Sequence, residues 1–137
     1  MRETISGFHE QSLDDALEQA ELALRSADVG LLLERHADIR LSGRSEAMLG
    51  LVIREAVTNI IRHARAHHCR LALRRSRAGE PEGQVVVEIS DDGRGGIRAG
   101  GSGVDGMRAR LESIGGTLEI IAGNGGHVIA RVPEDEQ

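Results

Sequence analysis

Four side chains of complementary chemistry lie close together in the middle of the sequence: Glu55, Asn59, Arg62 and His63. In a helix, their spacing of i, i+4, i+7 and i+8 would place them on one polar stripe. An amide oxygen is a hard ligand that suits Mg²⁺, and a guanidinium offers a fork of donors to phosphate oxygens. The stripe therefore suits a magnesium-bound triphosphate, although a stripe of this kind is, taken alone, more often a solvated helix face.

A glycine- and aspartate-rich segment, residues 90–107, is the second candidate for a site. The run GSGVDG at 101–106 fits the pattern G-x-G-x-x-G. A dinucleotide-binding turn requires this pattern directly after a strand, and the predicted strand ends well before it, at Ser90. A calcium loop counted from Asp91 would lack the required oxygen ligands and closing glutamate. A phosphate loop of the G-x-x-x-x-G-K-[ST] kind is excluded because the chain has no lysine.

What remains of this segment is an acidic turn after a strand and a glycine cluster that enters a helix at Val104. Backbone amides exposed by glycine at a helix N-terminus form a site for anions. A mobile surface loop without a ligand is the alternative. The polar stripe and the glycine segment together favour the binding site.

Composition limits the other classes of function. The chain has 137 residues, enough for one domain with a core, and a formal net charge of −5. Its negative field and its single aromatic residue, Phe8, argue against binding to nucleic acid. Cys69 is the only cysteine, and no apolar run has the length of about 20 residues that a bilayer requires. We therefore expect a soluble, cytoplasmic domain.

Hydrophobic periodicity predicts the elements that position these residues. A first helix begins after Ser12, with Asp15 completing a capping-box pattern. Helices are also predicted at 46–66 and at 104–114, the latter closed by Gly115 and Gly116. A buried strand is predicted at 29–39, and two hairpins with strands at 69–74, 84–89, 117–122 and 127–132. The predicted fold is α+β, a two-layer sandwich in which about three helices cover a mixed, mostly antiparallel sheet.

Three motifs, in this order along the chain, resemble those of a known protein family. REAVTNIIRH at 54–63 resembles the N box of the GHKL (Bergerat) ATPases, as found in sensor histidine kinases of the NarX/DesK type. DDGRG at 91–95 is similar to the D-x-G-x-G of the G1 box. GSGV at 101–104 and GMRARLESIGG at 106–116 are similar to the G2 box and the helix that follows it. The resemblance spans most of the chain, from about residue 13 to 133.

The resemblance implies roles for the matching residues. Glu55 and Asn59 would be the catalytic pair, with Asn59 coordinating Mg²⁺ and Glu55 beside the metal and its waters. ATP would be bound by Asn59, Arg62, His63, Asp91, Gly93, Gly95, Gly101, Ser102, Gly103 and Val104. Asp91 would accept the adenine amino hydrogen, since an ionised carboxylate is acceptor-only. Residues 96–103 would form a lid over the triphosphate. The chain departs from the family where a threonine is frequent near the adenine, because Gly126 stands there.

The implied function is that of an ATP-binding catalytic domain of a two-component sensor histidine kinase. Residues 1–11 would be a linker, 12–133 the catalytic domain and 134–137 a tail. The domain would donate the γ-phosphoryl group of ATP to a histidine on an upstream dimerisation domain, and it is not expected to phosphorylate itself. A LuxR/NarL-type response regulator would be a further partner. We expect a monomeric domain here and a homodimeric full-length kinase, either soluble or membrane-anchored.

Two other functions stay open: an anti-sigma-factor serine kinase of the same superfamily, which the GMRARLESIGG helix argues against, and a nucleotide-gated interaction module without catalysis. His67, His68 and Cys69 could suggest zinc but are more typical of a surface junction. His9 is interpreted as part of the linker. The arginines at 70, 74, 75 and 77 are predicted to be a solvated strand face and hairpin rim rather than a docking patch.

Overall fold

The computed structural model describes residues 12–36, 39–93, 102–121, 123 and 125–134. These residues form three α-helices and one five-stranded sheet, which confirms the predicted α+β class. In chain order the elements are α1 (Leu13–Ser26), β1 (Gly30–Arg35), α2 (Gly43–Asn59), a π-helical turn (Ile60–Ala64), β2 (His68–Arg75), β3 (Gln84–Asp91), α3 (Ser102–Glu112), β4 (Thr117–Ile120) and β5 (His127–Pro133).

The sheet has the order β1-β2-β3-β5-β4. β1 and β2 are parallel, and the other neighbours are antiparallel, so the sheet is mixed and mostly antiparallel as predicted. Successive side chains of a strand point to opposite faces. On β3, Val85, Val87 and Ile89 are buried in the main core between sheet and helices. Asp91 continues this face at the end of the strand, where the hydrophobic residues stop.

Two helices of the helical layer, α1 and α2, each begin after a serine N-cap. Ser12 Oγ accepts a hydrogen bond from Asp15 N at 3.1 Å, which confirms the predicted start of α1. Ser42 Oγ accepts from Ser45 N at 3.1 Å, so α2 begins at Gly43, three residues before the predicted start. The two helices are tied together where Leu13 N donates to Glu46 Oε2 at 2.9 Å.

The C-terminal end of α2 is not the regular helix that was predicted. The α-helix ends at Asn59, and residues 60–64 form a π-helical turn before Arg65 adopts a left-handed φ of 52°. A π turn holds one more residue than an α turn, so it changes the angular position of everything after it. The predicted alignment of Arg62 and His63 with Glu55 and Asn59 therefore does not follow from α-helical spacing.

β1 is shorter and more exposed than predicted. Its six residues lie at an edge of the sheet, and the prediction of a buried strand was wrong: Leu32 is 58% exposed and Leu33 39%. The register pairs Leu31 with Cys69, and Leu31 packs against the core. An edge strand has a neighbour on one side only, so a run of three leucines does not ensure burial.

The end of α3 is fixed by glycine, as predicted. Gly115 has a left-handed φ of 82°, and Gly116 N donates to Leu111 O at 2.7 Å, which closes the last turn. A β-carbon at Gly116 would clash with Arg131 O. Only glycine therefore lets the chain pass from α3 into β4 so close to β5.

The sheet face opposite the helices carries an ion-pair network, and the prediction of a wholly solvated arginine cluster was wrong at Arg74. The Arg74 side chain is only 4% exposed and binds Glu80 at 2.8 Å and Glu88 at 3.0 Å. Arg131 reaches Glu80 at 3.4 Å, and His127 Nε2 lies 2.9 Å from Glu88 Oε2. The loop between β2 and β3 therefore folds back over the sheet through Glu80.

Candidate functional site

Asp91 lies at the end of β3 with both carboxylate oxygens held by the backbone. Gly93 N donates to Oδ1 at 2.8 Å and Gly126 N donates to Oδ2 at 3.2 Å. The residue is half-buried. Each carboxylate oxygen has a second lone pair, so the group can accept a further hydrogen bond while its orientation stays fixed. This is the geometry of a selective acceptor for a donor group on a ligand.

The turn before β5 packs directly against Asp91. Asp91 N donates to Gly126 O at 3.1 Å. Gly125 has a left-handed φ of 97°, and a β-carbon there would clash with Asp91 O. At Gly126, where the family often has threonine, the contact with the carboxylate is made by a backbone amide. The two glycines therefore allow the turn to orient Asp91 without a side chain.

Glu55 and Gly103 are brought together across the helical layer. A β-carbon at Gly103 would stand 3.2 Å from Glu55 Oε2, which places that carboxylate beside the first turn of α3. Glu55 is exposed and Asn59, one turn later at the end of α2, is half-buried. The Glu55 and Asn59 side chains at the end of α2 and the N-terminal amides of α3 thus lie in one region.

The other predicted binding residues are distributed as follows. Arg62 is exposed in the π-helical turn, which also contains His63. Val104 is 5% exposed and packs in the core, so its side chain does not face a ligand and only its backbone could contribute. Ser102 and Gly103 are the first residues of α3. Gly95, Gly101 and residues 96–101 of the predicted lid lie outside the described residues, as do His9 and residues 1–11.

Asp92 is a residue whose role the sequence interpretation missed. Its Oδ1 accepts from His67 N at 2.8 Å and from His68 N at 2.9 Å, and its Oδ2 lies 2.9 Å from His68 Nδ1. These hydrogen bonds, led by the His68 amide, hold the pKa of Asp92 below its usual range. The antiparallel register, which pairs Cys69 with Asp91, is the signal that would have placed His68 next to Asp92.

His67 precedes β2, and His68 and Cys69 are the first two residues of that strand. No group of three metal-binding side chains occurs within the part of the chain that the structure describes. Cys69 is 2% exposed, and burial, reinforced by Asp91 and Asp92, raises the pKa of its thiol to about 12. The thiol therefore stays protonated and belongs to the core.

Comparison with known sequences gives a consistent result. The family described as "Histidine kinase-, DNA gyrase B-, and HSP90-like ATPase" matches residues 44–136. Sensor histidine kinase DesK of Bacillus subtilis (strain 168) is 29% identical over 142 residues, which cover all of this chain and 37% of DesK. The histidine-protein kinase/phosphatase UhpB of Salmonella typhimurium is 31% identical over 127 residues, covering 90% of this chain and 24% of UhpB. The chain thus spans about a third of the length of such relatives or less.

Comparison with solved structures supports the same fold. The histidine kinase domain of the blue-light activated kinase of Erythrobacter litoralis EL346 superposes with a TM-score of 0.65 at 22% identity, covering 88% of this chain and 60% of that one. The Acinetobacter baumannii histidine kinase AdeS gives 0.68 at 16% identity, covering 90% and 64%. In the described part of this chain, no helix has the length and apolar character of a membrane span. The family match over more than half of its residues shows that the chain belongs to the histidine kinase-, DNA gyrase B- and HSP90-like ATPases, and its fold agrees with that of the solved histidine kinase domain.

Proposed function

We propose that this domain binds ATP with Mg²⁺ and presents the γ-phosphoryl group to a histidine on a separate dimerisation domain of the same kinase. The observation that carries the proposal is the Asp91 carboxylate, fixed by the amides of Gly93 and Gly126 at the edge of the core. A fixed acceptor selects a base that presents a donor, and adenine presents an exocyclic amino group. By the family resemblance, Gly93 would let the base approach the backbone closely.

Glu55 and Asn59 are the residues that would hold the metal. A carboxylate oxygen and an amide oxygen are the hard ligands that Mg²⁺ uses, and the two lie one helical turn apart at the end of α2. When bound, Mg²⁺ neutralises charge on the triphosphate oxygens. The proximity of Glu55 to Gly103 supports this arrangement, because it places the Glu55 carboxylate beside the N-terminal turn of α3, whose amides suit phosphate.

The chemistry proposed is phosphoryl transfer without a covalent intermediate on this domain. The domain positions the nucleotide, Arg62 and His63 approach the phosphates, and a histidine from the dimerisation domain attacks in line. The phosphoryl group then passes to a response regulator, which we propose to be of the LuxR/NarL type. The full-length kinase is proposed to be a homodimer and this domain a cytoplasmic monomer, with 12–133 as the catalytic unit.

The test has two stages. Calorimetric titration with ATP should show binding that requires Mg²⁺ and is weakened by Asn59→Ala, whereas Gln19→Ala, which removes an amide from an exposed position on α1, should bind as the parent does. Incubation with γ-labelled ATP and the dimerisation domain should then produce an acid-labile label on that domain. An acid-stable label on serine would favour the anti-sigma-factor kinase, and binding without transfer would favour the non-catalytic module.

A further inference from the structure

The hydrogen bonds of Asp92 join the end of β3 to the start of β2 at the point where the sheet ladder stops. Cys69 and Asp91 are the last paired residues of these strands. Beyond them, Asp92 N donates to His68 O at 3.2 Å, and Asp92 Oδ1 receives the amides of His67 and His68. The Asp92 side chain thus adds two hydrogen bonds to this backbone pairing, and together they fix the direction in which the chain leaves β3.

The His68 ring supplies the second half of this connection. Since the Asp92 carboxylate stays ionised and can only accept, the 2.9 Å contact with Oδ2 requires the proton on His68 Nδ1. A β-carbon at Gly30 would stand 3.3 Å from His68 Cδ2, and Gly30 N donates to His67 O at 2.9 Å. The ring therefore has β1 on one side and Asp92 on the other.

The next residue, Gly93, connects this pair to the proposed nucleotide site. Its amide is the donor to Asp91 Oδ1, at 2.8 Å. The position of that amide depends on the path of the chain through Asp92, and that path is held by His68. A displacement of Asp92 would therefore rotate the Asp91 carboxylate without removing any part of the core.

We propose that His68 and Asp92 are positioning residues that orient the Asp91 carboxylate and thereby set the selectivity of the site for an adenine-type base. The inference rests on the proposed function, since it takes Asp91 as the acceptor for the base. Neither residue touches the nucleotide. Their effect reaches the base through Gly93 and appears as discrimination between nucleotides that differ only at the amino group.

The expected loss of selectivity is small because the His68 and Asp92 side chains are exposed. The His68 side chain is 79% exposed and that of Asp92 46%, so water competes for the bond between them. A bond of this kind is a small contribution, and we expect His68→Ala to lower the preference for ATP over inosine triphosphate by about two- to fivefold. Inosine triphosphate is the right comparison because a carbonyl replaces the amino group on its base. Asp92→Ala also removes the acceptor of two backbone amides, so it should have the larger effect.

The experiment measures the dissociation constants of both nucleotides, with Mg²⁺, by calorimetry on the full chain. His68→Asn keeps a donor near the position of Nδ1 and should restore the parental preference. His67→Ala is the matched control: it removes the neighbouring exposed ring and leaves the backbone amide in place. The pattern expected is a lower ratio in His68→Ala alone among these three variants.

Two results would overturn the proposal. A parental ratio in both His68→Ala and Asp92→Ala would show that Asp91 does not depend on them. An equal loss of affinity for both nucleotides would show a structural role without selectivity. Failure of the proposed function is distinguishable, because then the parent itself would not prefer ATP, or Asp91→Asn would leave the preference unchanged.

Discussion

Glu55 Oε2 lies so close to Gly103 that a β-carbon there would stand 3.2 Å from it. The end of a glutamate side chain is flexible, so a substitution at Gly103 would displace the Glu55 carboxylate and leave the backbone in place. We predict that Gly103→Ala weakens binding of ATP with Mg²⁺ while leaving the free energy of unfolding equal or higher, because alanine favours helix by up to about 1 kcal/mol.

Gly106→Ala is the control for this prediction. It lies on the same helix, and within the described residues its new β-carbon would meet Arg110 Nη1 at an ordinary contact distance of 3.7 Å. Calorimetric titration and urea unfolding of both variants are the measurements. Parental affinity in Gly103→Ala would show that the position of the Glu55 carboxylate does not matter for binding.

Asp91→Asn should reduce the preference for ATP over GTP. An asparagine must direct its amino group toward the Gly93 amide, the Gly126 amide or the base, and each of these is itself a donor. Loss of a charge-assisted hydrogen bond costs about 1.5–3 kcal/mol, or roughly ten- to hundredfold in affinity for ATP. Competition binding with the two nucleotides measures it.

Glu18→Gln, an equivalent change at an exposed position on α1, should leave both affinities unchanged. The circular dichroism spectrum of Asp91→Asn should match that of the parent. An unchanged preference in a folded Asp91→Asn protein would remove Asp91 from the recognition of the base.

Arg74→Ala should destabilise the domain strongly. The substitution leaves Glu80 and Glu88 without their buried partner, and breaking a buried ion pair in this way costs about 3–5 kcal/mol. Arg70→Ala is the comparison, because Arg70 lies on the same strand face but is 55% exposed and pairs with the exposed Glu34. We expect a change close to experimental error for Arg70→Ala. Urea unfolding, monitored by circular dichroism, measures the free energy of unfolding of both variants. Equal losses of stability would contradict the buried network.

Acid should weaken the same network through Glu80. The hydrogen bonds from Arg74, and then from the Arg77 amide, lower the pKa of Glu80 from 4.5 to about 2. A carboxyl whose pKa is lower in the folded than in the unfolded protein stabilises the fold fully at any pH above its unfolded-state pKa. That contribution is lost as the pH falls through its folded-state pKa. The stability advantage of the parent over Glu80→Gln should therefore be greatest at neutral pH and shrink between pH 4.5 and 2. A constant difference across that window would contradict the assignment.

The sequence predicts those features of the fold that depend on nearby residues. The Ser12 cap, the glycines that end α3 and the hairpin of β2 and β3 are local signals, and the structure agrees with each. The motifs around Asn59 and Asp91 likewise identified the family. Their individual roles in binding stay predictions.

What the sequence did not predict depends on distant contacts. Arg74 and Arg70 have the same side chain on the same strand, and only the return of the loop through Glu80 makes one buried and the other exposed. His68 and Asp92 are paired by strand register, which no short motif encodes. Over so few residues, the spacing of apolar side chains fits both an α turn and a π turn. The sequence therefore did not predict the π-helical turn after Asn59.

The position of β5 has a consequence for the order of events during protein synthesis. It is the last of the five strands to leave the ribosome, yet it lies between β3 and β4 in the sheet. The preceding turn also carries Gly126, whose amide holds Asp91. A nascent chain that has released α1 through α3 still lacks an inner strand and one of the two amides that orient the carboxylate. If Asp91 accepts a hydrogen bond from the base as proposed, recognition of the nucleotide requires that translation has passed β5, and a chain truncated before Gly126 should not bind ATP.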